Sequence, residues 1–524
     1  MPETDPVGPW DVVVIGYGFA GAMAAVSAAD AGARVLLVEK MANPGGLSAC
    51  SAGGVRIARD ADAAFAYLKE TNAGTTPDGP LRALADGMVS IAPVIEDLAA
   101  RHGAVATVNW RDANYPFDGH DTFGFISVTD YPGLDFAKTF PHLRGLRGGA
   151  RLFRVMMHAV AASGVTVRLA TPAQRLITDA TGAVVGVRLE GRGGPETVLV
   201  SGGVVLACGG FEADASMQAQ YWQEKPVLPG AFAGNTGDGI RMAQAVGADL
   251  WHMWHYHGTY GLRHVDPAYP YGIRLMRLPD WLPGAAPPGA DEEIPAFFNA
   301  SQDPRMPWIV LDQEGRRYMN EYPPYLQDTG HRWLEPYDAV TQRYPRIPSW
   351  IVLDDVGRHH APLGFPTYND PEVSMAWSHD SGAEVAAGLV HQADTVADMA
   401  ATMGVPETTL TATLARWNQD CAAGVDTEFG RMPESMMPIT RPPFLFGQLW
   451  PICANTQGGP VRDAAQRVLT PFGEPISGLW SAGELGSVFG HLYMSGGNLA
   501  ECFVGGQIAG WAAAARAGHT RRTP

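Results

Sequence analysis

Three glycines and one carboxylate define the first chemistry this chain is equipped for. Gly16, Gly18 and Gly21 form GxGxxG directly after the apolar run Val12 to Ile15, and Glu39 closes the next apolar run. The spacing predicts strand, tight turn, helix and second strand, with the carboxylate at the tip of that strand roughly 20 residues beyond the turn. Gly16 permits the turn, Gly18 lets backbone approach a pyrophosphate, and Gly21 lets an alanine-rich helix pack closely. The helix start offers unpaired N–H groups and the positive end of its dipole to phosphate, and Glu39 suits ribose hydroxyls. The unit therefore predicts a bound dinucleotide.

No second strand-GxGxxG-helix unit of the kind that usually binds a nicotinamide nucleotide follows, so one cofactor is the simpler expectation. The other small-residue clusters fit the length of one extended FAD. Asn43 to Val55 (NPGGLSACSAGGV) is a loop able to lie against a flat ring system. Val204 to Phe211 (VVLACGGF) is a buried strand ending in glycines, and Gly234 to Ile240 (GNTGDGI) surrounds glycines with Asn, Thr and Asp just before a helix. Gly478 to Gly486 (GLWSAGELG) is a strand-to-turn carrying Glu484, and Gly496 to Gly510 reads as a helix whose start can face a flavin edge.

In that order, GYGFAG, GGLSACSAGG, ACGGF, NTGDG, GRRYMNE, WNQDCAAGVDTEFGR, NTQGG, SAGE and GGNLAECFVGGQIAG resemble the flavoprotein superfamily of fumarate reductases, succinate dehydrogenases and 3-ketosteroid dehydrogenases. The resemblance spans nearly the whole chain. It implies an α/β fold: a Rossmann-like, glutathione-reductase-type FAD-binding domain with an inserted α+β capping domain. It implies FAD contacts from Gly16, Gly18, Phe19, Ala20 and Gly21, then Glu39 and Lys40, and then Gly45, Gly46, Leu47, Ser48, Ser51, Ala52, Gly53 and Gly54. Further along it implies Ala173 near the adenine, Ala207, Gly209, Asn235, Thr236, Asp238, Gly483, Glu484, Asn498 and Leu499. Members with covalent FAD use a histidine in the loop after the second strand. Asn43 to Val55 has none, so noncovalent FAD is expected.

Moving a hydride from an unactivated C–C bond requires a neighbouring carbonyl, a group to hold the developing enolate, and a base. Fumarate reductases clamp a dicarboxylate with arginine and histidine, whereas ketosteroid dehydrogenases use tyrosines and a backbone N–H. Here Pro324-Tyr325 stands where the reductases carry their catalytic arginine, Asn455 replaces their histidine, and Tyr493-Met494 replaces the arginine of their NRLGG motif. The ketosteroid group has a TYPGPG-like loop at the last position, which aligns here as LYMSGGN, with MSGG in place of PGPG. By resemblance, the Tyr493 hydroxyl and the Gly497 N–H form the oxyanion hole and Tyr325 exchanges the α proton. A phenol with an ordinary pKa of ~10 needs its phenolate favoured for that task. A third family tyrosine maps to Tyr131 or Tyr115, with Tyr131 ranked first.

His252, His255 and His257 cluster in Trp251 to His264, but no carboxylate or cysteine joins them at metal-ligand spacing. This stretch is read as an aromatic pocket wall, and no metal is expected. His491 sits beside the proposed oxyanion loop, where it can orient Tyr493.

At 524 residues the chain exceeds one ordinary domain. Cofactor signatures place an FAD-binding domain at 1–275 and 438–524 and a capping domain at 276–437. Residues 276–309 read as an exposed Pro/Gly-rich excursion, PWIVLDQEGRRYMNE as a hairpin, and VADMAATMG and TTLTATLARWNQDCAAG as amphipathic helices. A net charge of -17 with no basic run argues against nucleic acid. Five scattered cysteines without a CxxC pair, an acidic N-terminus without a leader, and no apolar run of the roughly 18 residues needed to span a bilayer lead us to expect a cytoplasmic protein.

The expected reaction is desaturation of a cyclic ketone next to its carbonyl, with a 3-ketosteroid as the leading substrate class. A quinone or another flavoprotein would take the electrons. The alternatives are an ene-reductase of the fumarate or urocanate type, drawing on Arg274 or Arg277, and a flavin electron-transfer protein without turnover.

Overall fold

Val12, Val13 and Val14 are wholly buried, and burial on both faces is what a central parallel strand requires. The computed structural model describes residues 10–143, 147–191, 193–275, 305–322, 326–360, 363–364, 378 and 380–520. Its largest sheet contains β1 (Trp10–Ile15), β2 (Val35–Val38), β3 (Thr166–Arg168), β4 (Gly194–Leu206) and β5 (Pro475–Ser481). They lie in the order β5-β4-β1-β2-β3, all parallel, with Arg467–Leu469 antiparallel outside β5. The fold is mixed α/β.

Helices α1 (Phe19–Asp30), α2 (Gly148–Ala162), α3 (Asp238–Ala245) and α4 (Gly497–Arg516) accompany this sheet. Because α1 is apolar and small all round, it is buried on nearly every face. Helix α4 crosses it at close range: a Cβ built on Gly506 would lie 2.6 Å from the Ala20 carbonyl oxygen, and one on Gly510 would lie 2.2 Å from that of Ala24. A separate antiparallel sheet joins Val55–Ala58, Phe123–Asp130 and Val105–Trp110.

The chain divides into two compact units, Met1–Met217 with Phe232–Tyr256 and Asn455–Pro524, and Gln218–Ala231 with His257–Ala454. The second unit therefore extends beyond the 276–437 span expected from motif placement. The reason is its sheet, in which Phe444–Thr456 pairs antiparallel with Ser349–Leu353 and parallel with Leu228–Pro229. Cofactor-like motifs carry no signal for that pairing.

Within the second unit GRRYMNE makes a buried charge network. Arg317 bonds Glu321 at 2.8 Å and Asp426 at 3.0 Å, with all three side chains at 0% exposure. The expected hairpin at 307–321 reduces to the strand Ile309–Leu311 and one bridge from Leu311 to Arg317. The two expected helices are present at Val396–Met403 and Glu407–Ala423. Of the 276–309 excursion, residues 276–304 lie outside the described residues, as do Pro324, Tyr325 and Arg277. Among the described residues no helix is long and apolar enough to cross a membrane.

Candidate active site

In an open parallel sheet the ligand site falls beyond the carboxyl ends of the strands. The residues following β1, β2, β4 and β5 all face one cavity. Its wall holds Gly16, Gly18 and Ala20 from the first turn, Glu39 and Lys40 after β2, and Ala207 and Gly209 after β4. Gly45, Gly46, Leu47, Ser48, Ala173, Asn235, Asp238 and Glu484 complete the sequence-expected residues on it.

The first turn admits no side chain. A Cβ on Gly16, whose φ is +102°, would meet the Ala207 carbonyl oxygen at 2.4 Å, and one on Gly18 would meet Ser48 Oγ at 2.9 Å. Gly21 lies where the helix packs close on the strand ends, since its Cβ would stand 1.8 Å from the carbonyl oxygen of Gly16, directly after β1, and 3.5 Å from Ala207 Cβ, directly after β4. It lets the helix start fold under its own turn. Both Glu39 oxygens accept backbone N–H groups, from Tyr17 at 2.9 Å and Met41 at 2.8 Å, which fixes the carboxylate at the cavity. Burial raises its pKa despite these bonds. Lys40 Nζ reaches Thr236 Oγ1 at 2.7 Å and Asp238 Oδ2 at 2.6 Å, so Thr236 acts through the lysine.

Other expected contacts lie outside the lining of this cavity. Phe19 is in the core, its ring 5.3 Å from that of Phe503. Ser51, Ala52 and Gly53 pack on the start of α2, where a Cβ on Gly53 would be 2.3 Å from the Gly148 carbonyl carbon. Gly54 abuts Phe125, Gly483 abuts Ala20, and Asn498 and Leu499 open α4. Sequence reading missed Tyr17, Thr171, Cys208, Phe232, Met242 and Cys502, all of which line the cavity. Phe232 sits two residues before the GNTGDG cluster and fills the space beside Gly234, but nothing in its own type marks it.

Glu212 is also absent from the sequence-expected set. Asn235 Nδ2 donates to Glu212 Oε1 at 2.7 Å and to Glu484 Oε2 at 3.3 Å. Burial, reinforced by Glu484, pushes the Glu212 carboxyl well above the usual carboxylate range, and burial pushes Glu484 up to about 7.

The segment from Ser487 to Asn498 is held from several sides. Glu501, paired with Arg462 at 2.7 Å, accepts from the Val488 N–H at 2.7 Å, Ser487 Oγ at 2.7 Å and Asn498 Nδ2 at 2.9 Å. His252 Nδ1 and His255 Nδ1 each lie 2.8 Å from a carbonyl oxygen, of Ser487 and Phe489 respectively. These two histidines brace backbone. Tyr493 is buried, packs edge-on to Phe489 at 5.2 Å between ring centroids, and its Oη accepts from the Asn498 N–H at 3.4 Å. The Gly497 N–H closes a turn on the Met494 carbonyl at 2.9 Å, so the loop as built already uses the donor expected to bind the ketone.

Tyr131 and Tyr115 separate clearly. Tyr131 is half-buried with its ring 6.2 Å from that of His158, whereas Tyr115 is buried and follows Asn114, whose Oδ1 accepts from the Ser495 N–H at 2.9 Å. The segment carrying Tyr115, not Tyr131, touches the Tyr493 loop.

A family model described as FAD binding domain matches residues 11–499. The chain belongs to this FAD-binding family. Its cofactor is FAD, and the glycine turn, the fixed Glu39 and the cavity at the strand ends suit it. Similarity to enzymes runs the length of this family member, which is an FAD-dependent oxidoreductase. It is 26% identical to 3-oxosteroid 1-dehydrogenase of Mycobacterium tuberculosis, over 97% of this chain and 99% of that protein. It is 27% identical to 4-oxocyclohexanecarboxylate 2-dehydrogenase of Sinomonas cyclohexanicum, over 97% and 94%. A solved 3-ketosteroid delta1-dehydrogenase from Sterolibacterium denitrificans, in complex with 1,4-androstadiene-3,17-dione, shares the fold with a TM-score of 0.78, at 23% identity over 97% of this chain and 99% of that one.

Proposed function

We propose that the protein desaturates a cyclic ketone between the carbons α and β to its carbonyl, using noncovalent FAD held by a Rossmann-like domain of the glutathione-reductase type. The observation that carries this reading is the Tyr493 loop: a buried tyrosine hydroxyl beside the start of α4, in a stretch that offers no arginine for a dicarboxylate. Both named relatives are dehydrogenases of a ring ketone, which supports the same class.

FAD, held along Gly16, Gly18, Glu39 and Lys40, would supply the acceptor for the β hydrogen and its electron pair. The Tyr493 hydroxyl holds the ketone oxygen, with the Gly497 end of α4 behind it. An N–H donated to Oη polarises that hydroxyl and makes its own proton a better donor. As negative charge grows on the ketone oxygen this bond strengthens, and the bond from the carbonyl carbon to the α carbon takes on enolate double-bond character. Tyr325, as its phenolate, takes the α proton, and Tyr115 completes the tyrosine set. A quinone or a second flavoprotein then receives the electrons.

The competing reading, a carboxylate ene-reductase, draws on Arg274, which packs against Gly230 at the end of Gly272–Arg274. Reoxidation separates the two. Enzyme reduced anaerobically by dye is expected to be reoxidised by a cyclic enone and not by fumarate, followed by flavin absorbance. Reoxidation by fumarate alone would overturn the ketone reading.

A further inference from the structure

Ser495 lies two residues from Tyr493 and two from Gly497, and neither of its backbone groups is held by a helix or strand. Its N–H donates to Asn114 Oδ1 at 2.9 Å, and its carbonyl accepts from Arg56 Nε at 2.8 Å. Two side chains from different segments thus grip one residue through both of its flanking peptide units.

Arg56 is built for this. It sits in the strand Val55–Ala58, is 1% exposed, and lays its guanidinium over the Phe125 ring at 3.8 Å to the centroid. Its Nη1 donates to the Arg111 carbonyl at 3.1 Å and the Asp112 carbonyl at 3.4 Å, while its backbone N–H donates to the Gly496 carbonyl at 3.2 Å. One planar fork therefore joins the loop that carries Tyr493 to the segment that leads into Tyr115. The loop also cannot back away. A Cβ on Gly496 would lie 2.6 Å from the Gly54 carbonyl oxygen and 2.8 Å from Phe125 Cε1, so the backbone is already seated against this strand.

We infer that Arg56 and Asn114 form a clamp on Ser495 that positions the Tyr493 hydroxyl for the ketone oxygen, making Arg56 a positioning residue for the reaction. The inference rests on the reading of Tyr493 given above. Its physical basis is that a reacting group displaced by about 1 Å loses on the order of 10²-fold in rate, and that buried, charge-assisted bonds resist such displacement. Lysine cannot substitute: a single ammonium has no fork with which to reach Ser495 and Arg111 together.

The test compares Arg56→Lys, Asn114→Ala, Tyr493→Phe and the double variant Arg56→Lys/Tyr493→Phe, all as FAD-loaded enzyme. Cyclohexanone and a saturated 3-ketosteroid are the probes. Arg56→Lys and Asn114→Ala are expected to lower kcat by about 10- to 100-fold with FAD affinity within about threefold of the parent. Because the clamp acts through Tyr493, the double variant is expected to be within about threefold of Tyr493→Phe alone, whereas independent roles multiply. Multiplying losses, or normal kcat in both clamp variants beside a slow Tyr493→Phe, would overturn the clamp alone. An unimpaired Tyr493→Phe would overturn the site reading on which it rests. Should Arg56→Lys not fold, Asn114→Ala, which leaves the buried cation in place, decides the question, with Asn114→Ala/Tyr493→Phe as its double variant.

Discussion

Replacing Tyr493 by phenylalanine is expected to lower turnover of a cyclic ketone by about 10²- to 10³-fold while leaving the protein yellow. The ring stays edge-on to Phe489, so packing is conserved, and only the hydroxyl that accepts from the Asn498 N–H is removed. The loss should fall on kcat more than on KM, because the bond strengthens as charge develops on the ketone oxygen. Stopped-flow reduction of the flavin by the ketone checks this. Parent-like rates would remove Tyr493 from the mechanism.

The second large effect is at the cofactor turn. Gly21→Ala places a methyl group 1.8 Å from the Gly16 carbonyl oxygen, a separation no rotamer can relieve because both atoms belong to the backbone turn. The turn must open, and opening it moves Gly16 and Gly18 on the cavity wall. FAD affinity is expected to fall at least about tenfold, equivalent to ~1.4 kcal/mol, with a lowered Tm of the apoprotein from the same overpacking. A control is Gly74→Ala, where φ is +79° but nothing lies within 4 Å of the new methyl; it should keep FAD. Fluorescence titration of apoprotein with FAD measures both.

The cofactor turn was legible in the sequence because its requirements are local. Gly16, Gly18 and Glu39 are fixed by one strand, one turn and the strand that follows, so spacing alone carries them. Residues that meet through the sheet rather than along the chain left no such mark. Glu212 becomes the partner of Glu484 only because Asn235 lies between them, and Arg56 becomes a clamp only because Ser495, far along the chain, folds against its strand. What distinguishes Tyr115 from Tyr131 left no mark for the same reason: Asn114 accepts from the Ser495 N–H, a contact between distant segments. The span of the second unit was not legible because Phe444–Thr456, a 13-residue strand, serves its sheet without any cofactor motif to announce it.

In the proposed reaction a saturated ring ketone is the electron donor. The direct measurement is anaerobic: a saturated 3-ketosteroid, and separately cyclohexanone, added to the oxidised yellow protein while flavin absorbance is recorded and the organic product identified by mass. Bleaching by at least one ketone is expected, with recovery of an enone lighter by two hydrogens. Flavin that stays oxidised with every ketone at saturating concentration would contradict it.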